Sequence, residues 1–194
     1  MRVILASASP RRRALLEALG WRIDVRPVDV PEVLQPGLPP AEQAMYLAAR
    51  KAMALLEMIG PDSVVLAADT LVVHQGTILG KPADLAEARH FLQRLSGDWH
   101  TVFTGVAVAT ASQLWLFYES TAVRFHKLLP EWIEWYLANT PPLDKAGAYG
   151  AQDFIGLAGI AEIHGDFYNV MGLPVQRLLQ FWYRTFGHYW PTTS

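Results

Sequence analysis

Four apolar residues, Val3-Ile4-Leu5-Ala6, run directly into the hydroxyl-rich turn Ser7-Ala8-Ser9 and then into Pro10-Arg11-Arg12-Arg13. A short apolar run ahead of turn residues reads as a buried strand. Pro10 is favoured in the first turn of a helix, and Ser9 is a natural N-cap for it. Ala14, Leu15, Leu16, Ala18 and Leu19 then supply an apolar helix face, which Gly20 terminates. The chain therefore opens with a strand, a tight turn and a helix start that carries three arginines. Free backbone N–H groups and the positive end of the helix dipole attract anions, and a guanidinium can grip phosphate through two hydrogen bonds. The segment is either a capped helix with solvated arginines or one wall of an anion site.

The rest of the pattern points to an α/β (α+β-like) fold with a mixed, twisted sheet flanked by helices. Arg22–Val28 alternates weakly, as an edge strand does, and the five prolines between residues 27 and 40 make that stretch a loop, which carries Asp29 and Glu32. From Ala41 to about Ile59 the period is helical, with Ala44, Leu47, Ala48, Ala52 and Leu55 on one face and Gly60-Pro61 as the stop. Ser63–Ala68 is a continuous apolar run, hence a buried strand, with Asp69-Thr70 at its carboxyl end. Leu71–His74 and Thr77–Leu79 form a hairpin around Gln75-Gly76. Asp84, with Glu87 three residues on, caps a helix to Leu95 that Ser96-Gly97 closes. Thr101–Thr110 and Leu114–Phe125 read as long strands. Pro130–Leu137 reads as a helix with Trp132, Ile133, Trp135 and Tyr136 inward, Leu157–Ile163 as a strand and Val175–Phe186 as the last helix. The aromatic tail, Phe181-Trp182-Tyr183, Phe186 and Tyr189-Trp190, reads as dimer surface or core cover, with core cover favoured. Alternation early and consecutive strands in the middle argue for a mixed sheet. At 194 residues the chain suits a single domain, 1–194, in two lobes.

Composition narrows the chemistry. A net charge of −2 argues against a nucleic-acid coat, so any basic patch is local. The absence of cysteine excludes disulfides, thiolate metal sites and a thiol nucleophile. No apolar stretch is long enough for a membrane span, and the N-terminal run is too short for a signal peptide, so a cytoplasmic protein is expected. The six histidines show no H-x-x-x-H spacing, and P-loop, dinucleotide and G-x-S-x-G signatures are missing.

Lys51 lies four residues from both Leu47 and Leu55, on the apolar stripe of its helix, while Arg50 points elsewhere. It either snorkels to the core edge or points into a cleft toward a carboxylate or phosphate. Asp69 ends five apolar residues at a strand terminus, where α/β ligand sites gather, although aspartates there also serve as turn residues or caps. Lys81-Pro82 after Gly80 reads by itself as a polar turn ahead of the Asp84 helix, although Gly80 lets the backbone approach a ligand. The small-residue loop from Asp144 to Gln152 with Lys145 and Tyr149, and the turn Asp166–Asn169 ahead of Gly172-Leu173-Pro174, can also approach a ligand. Arginines, lysines and carboxylates at loops and strand ends suit a phosphorylated substrate with a divalent cation bound through carboxylates and phosphate oxygens.

Taken in order, Leu5–Arg12, Ala68-Asp69-Thr70, Gly80-Lys81-Pro82, Leu95-Ser96-Gly97 with His100, Asp144–Gly150 with Gln152, and Gly172-Leu173-Pro174 resemble the Maf family of nucleoside triphosphate pyrophosphatases, which is also linked to inhibition of septum formation. The resemblance runs from residue 3 to about 180. It implies a two-lobed fold similar to the inosine triphosphate pyrophosphatases, with the nucleotide in a central cleft, and hydrolysis of a nucleoside triphosphate to monophosphate and pyrophosphate with Mg²⁺ or Mn²⁺. Asp69 matches the family's general base and a metal ligand, Glu32 the loop carboxylate at the metal, and Ser7, Arg12, Lys51 and Lys81 the triphosphate site. Arg11, Thr70 and Gln152 match the combination of the dTTP/UTP branch. Ala49-Arg50 and Pro31-Glu32 depart from the pattern, where relatives often carry an Arg-Glu pair and a second acidic residue. A homodimer is compatible with the resemblance. The rival expectations are a pyrophosphatase for modified nucleotides, and a nucleotide-binding regulator of septum formation with little turnover.

Overall fold

A computed structural model of the chain describes residues 2–56, 58, 62–187 and 191. Its sheet has seven strands in the order β2-β1-β3-β5-β6-β7, with β4 paired to β3. The strands are β1 (Arg2–Leu5), β2 (Ile23–Val25), β3 (Ser63–His74), β4 (Thr77–Leu79), β5 (Trp99–Ala109), β6 (Leu114–Phe125) and β7 (Ile160–His164). β1 is parallel to both β2 and β3, while β3/β4 and β6/β7 are antiparallel, which makes the sheet mixed. The helices are α1 (Pro10–Ala18), α2 (Pro40–Leu56), α3 (Leu85–Leu95), α4 (Pro130–Asn139), α5 (Phe154–Gly159), α6 (Phe167–Val170) and α7 (Val175–Phe186). Contacts divide the chain into two compact units, one of residues 1–69, 104–119 and 172–194, the other of residues 70–103 and 120–171.

In the first unit, α2 packs its alanines onto small residues of the sheet. Ala48, Ala52 and Leu55 meet Ile4, Ala6, Val65, Ala67, Ala107 and Ala109 in one cluster. Small side chains on both sides let the helix axis approach the sheet closely, which fixes what α2 carries. α7 contributes Trp182, fully buried at 4.5 Å from Trp21, and Phe181, which stacks near Phe117 of β6 at 5.2 Å. Tyr183 on the same helix is exposed, so only part of the expected aromatic cover is core. Tyr189-Trp190 lie outside the described residues, as do Ile59 and the Gly60-Pro61 stop.

The second unit holds the β3–β4 hairpin, whose turn places Gln75 and Gly76 at φ 48° and 75°, the left-handed pair that a two-residue hairpin needs. α3 begins with a shifted form of the expected capping box: Asp84 accepts from the Glu87 N–H at 2.8 Å, and the Glu87 carboxylate accepts from the N–H of Ala83, one residue before the N-cap. His100 is buried, with Nε2 2.7 Å from the Tyr149 hydroxyl and its ring edge-on to Phe125. Burial pushes its pKa down to about 3. The unfolded chain takes up that proton near pH 6.5 and the folded one does not, so stability is full above pH 6.5 and falls as pH drops toward 3. Between pH 6.5 and 5 this group alone is expected to cost roughly 2 kcal/mol. Urea midpoints of wild type and His100→Gln at the two pH values measure it, and equal slopes would rule it out.

Five expectations are corrected. Asp69 does not end a strand: β3 runs twelve residues, parallel to β1 over Ser63–Leu66 and antiparallel to β4 over Val72–His74, and Asp69 sits between the two pairings. A change of partner along one strand leaves no break in the apolar pattern to read. Leu157–Gly159 belongs to α5 and not to a strand, because a short apolar run fits either period and Asp153 sits at the N-cap position upstream. Asp166–Asn169 is no open turn: Asp166 caps α6 and accepts from the Tyr168 N–H. Trp135 is half-exposed against Phe154 instead of inward, and Ala14 and Ala18 of α1 face solvent.

Candidate active site

The turn after β1 is built from its own side chains. Ser7, buried, accepts from the Ser9 N–H at 3.1 Å, and Ser9 accepts from the Arg12 N–H at the start of α1. Arg12 then folds back: Nη1 donates to Ser7 Oγ at 3.2 Å and Nε donates to the Gly172 carbonyl at 2.8 Å. The turn at Gly172-Leu173-Pro174 thus supports an arginine.

α2 settles the ambiguity over Lys51. Its ammonium donates to Glu32 Oε1 at 2.8 Å and, in a very short contact, to Asp69 Oδ1. The pair with Asp69 is almost dry, at 13% side-chain exposure for Lys51 and 7% for Asp69, whereas Glu32 is partly open at 34%. Burial raises the Asp69 pKa above its ordinary value; the charge and hydrogen bond of Lys51 oppose it, and Arg12 opposes it further. Burial likewise lowers the Arg12 pKa, offset by Asp69 and Glu32 and reinforced by Arg11. Two carboxylates and two to three cations therefore share one electrostatic neighbourhood within the first unit.

One ammonium reaches both Glu32 and Asp69, so the two carboxylates share a cationic partner. Mg²⁺ and Mn²⁺ take hard oxygen donors, and Mg²⁺ characteristically uses one or two carboxylates and fills its remaining positions with phosphate and water. No group of three or more ligating side chains occurs among the described residues. The donor set suits a cation that arrives with a phosphorylated ligand.

Of the residues singled out in the sequence, Ser7, Arg11, Arg12, Glu32, Lys51 and Asp69 come together in the first unit. Thr70, Lys81 and Gln152 belong to the second, Thr70 half-buried and the other two exposed. Two contacts to the Glu32 loop have no counterpart in the motifs. Arg50 Nη1 donates to the Pro31 carbonyl at 2.8 Å, and buried Gln43 accepts from the Gln35 N–H at 2.9 Å. The signal for Gln43 was its spacing: 43, 47 and 51 fall on one helical stripe.

The family model described as Maf-like protein matches residues 2–184. A dTTP/UTP pyrophosphatase of Bacillus anthracis is 44% identical over 179 residues, covering 92% of this chain and 93% of its own length. One of Cytophaga hutchinsonii is 43% identical over 177 residues, covering 91% and 81%. Among solved structures, the Ham1 protein of Staphylococcus aureus aligns at TM-score 0.48 and 12% identity over 93% of this chain and 99% of that one.

Proposed function

The chain belongs to the Maf-like protein family, and on that footing we propose that it hydrolyses nucleoside triphosphates, dTTP and UTP first among them, to the monophosphate and pyrophosphate. The observation that carries the reading is the buried Asp69 carboxylate held by Lys51, with Glu32 and Arg12 beside it. Unless a cation screens it, a desolvated carboxylate repels phosphate, so a module that only binds gains little from one. A hydrolase needs one to take a proton. In the proposed reaction the oxygen of a water bonds to the α-phosphorus, and the bond from that phosphorus to the α–β bridging oxygen breaks. Pyrophosphate leaves with the bridging oxygen, and the water's proton goes to Asp69. Burial strengthens Asp69 as a base relative to a free aspartate.

Lys51 and Arg12 supply fixed positive charge for the leaving pyrophosphate, with Lys81 assigned the same role by motif. Ser7, tied to Arg12, keeps the guanidinium oriented. A divalent cation, Mg²⁺ or Mn²⁺, held by Glu32 and Asp69 would neutralise phosphate charge and acidify the attacking water. Arg11, Thr70 and Gln152 are assigned to the pyrimidine base. A cytoplasmic location is consistent with a nucleoside triphosphate substrate.

Pyrophosphate release from a panel of canonical and modified nucleoside triphosphates, with Mg²⁺ or Mn²⁺, tests the reading. Fast turnover of dTTP and UTP supports it. Preference for a modified nucleotide removes the base assignment but keeps the reaction, and binding without turnover removes the reaction. Glu32→Gln halves the carboxylate charge and is expected to raise the Mn²⁺ concentration for half-maximal rate about 10-fold or more. An unchanged metal dependence would take Glu32 out of the site.

A further inference from the structure

The loop between β2 and α2 has no hydrogen-bonded ladder of its own, yet its middle is strapped along one helix. Running down α2 from its C-terminal end, Arg50 holds the Pro31 carbonyl at 2.8 Å and Lys51 holds Glu32 at 2.8 Å. One to two turns earlier, the Tyr46 hydroxyl accepts from Gln35 Nε2 at 3.1 Å and Gln43 Oε1 accepts from the Gln35 N–H at 2.9 Å. Between the two ends, Val33 and Leu34 are 56% and 44% exposed. Hydrophobic burial therefore does not fix residues 33–34, and polar contacts to α2 set the course of the strap.

Gln43 is the anomalous member. It is 1% exposed, on the stripe that Ala44, Leu47 and Ala48 line, and its Nε2 has no hydrogen-bond partner among the described residues. An apolar side chain would fill that place without leaving a buried donor unpaired. What glutamine does there that leucine cannot is hold the Gln35 N–H, three residues beyond Glu32. We propose that Gln43 is a positioning residue for Glu32: it fixes the far end of the strap so that the Glu32 carboxylate is delivered to Lys51 and Asp69. The proposal rests on the reading of Glu32 as a cation ligand and adds the residue that places it.

The test compares wild type, Gln43→Leu and Glu32→Gln. Three quantities are measured: the denaturation midpoint, amide exchange at Gln35, and Mn²⁺ affinity by electron paramagnetic resonance with a non-hydrolysable α,β-substituted triphosphate. Gln43→Met, closer in shape, replaces Gln43→Leu if the latter does not fold. The variant at 43 is expected to keep or raise the midpoint, lose protection at Gln35, and weaken Mn²⁺ binding about 10-fold, the size of effect seen when an outer partner of a metal ligand is removed. Unchanged Mn²⁺ affinity in the variant at 43, with Glu32→Gln weakened, overturns the proposal. So does retained protection at Gln35. If Glu32→Gln leaves Mn²⁺ binding unchanged, the cation reading itself falls, and exchange at Gln35 alone decides whether Gln43 orders the strap.

Discussion

Asp69→Asn is expected to lower turnover of the preferred nucleotide about 1,000-fold, within the range that a positioned proton acceptor contributes. The amide keeps the size of the side chain and an oxygen that can accept from Lys51, so the local packing survives. It cannot take up the water's proton. Removing the negative charge leaves Lys51 and Arg12 opposite Glu32 alone, which makes the site more positive, so nucleotide affinity measured without the divalent cation should hold or tighten. Folding is not expected to suffer, because burial already works against the Asp69 charge. Turnover and nucleotide affinity measured on the same preparation separate the effects. A rate within tenfold of wild type removes Asp69 as the base, and a large loss of affinity with an unchanged rate makes it a binding residue instead.

Gly105→Ala should be among the most damaging single changes outside the charged cluster. A Cβ built at Gly105 of β5 would lie 2.3 Å from the carbonyl carbon of Ala44 and 2.3 Å from the backbone nitrogen of Met45. Both are main-chain atoms of α2, so no side chain can swing aside; the helix must withdraw by an ångström or more. Overpacking of this kind is expected to cost about 3 kcal/mol. The displaced segment adjoins Gln43, and the same helix bears Lys51, so the loss reaches the chemistry. A misplacement of about 1 Å is expected to lower turnover about 100-fold. Denaturant unfolding and initial rates on the folded fraction test the two parts. An unfolding midpoint equal to wild type would mean that the sheet and α2 yield without strain. Normal turnover in a destabilised variant would mean that Lys51 does not depend on this approach.

Local order in the chain was enough for much of the frame. Ser9, Pro10 and Gly20 bounded α1, Asp84 and Glu87 started α3, and Val175–Phe186 was read at its true ends, because caps and helical periods are decided within a few residues. The same locality misled at Asp69 and at Leu157–Gly159. An apolar run carries no mark where a strand changes partner, nor where a short helix stands in for a strand.

By itself, the sequence determined the inventory of the candidate site: a hydroxyl turn with arginines, a lysine on an apolar stripe, a carboxylate at the end of an apolar run, and a glutamate in a proline-stiffened loop. Spacing within a helix or turn dictates which residues are offered to a common face, and nothing beyond that range. Only the tertiary structure decided that Lys51 meets Asp69 and Glu32, separated from it by 18 and 19 residues, and that Arg12 is held by Gly172, 160 residues away. Those pairings follow from the closeness of α2 to the sheet, which depends on alanines at 48, 52, 107 and 109 and on the bare backbone of Gly105. Close packing between distant segments is a sum over many small side chains, and no single stretch of the chain records it.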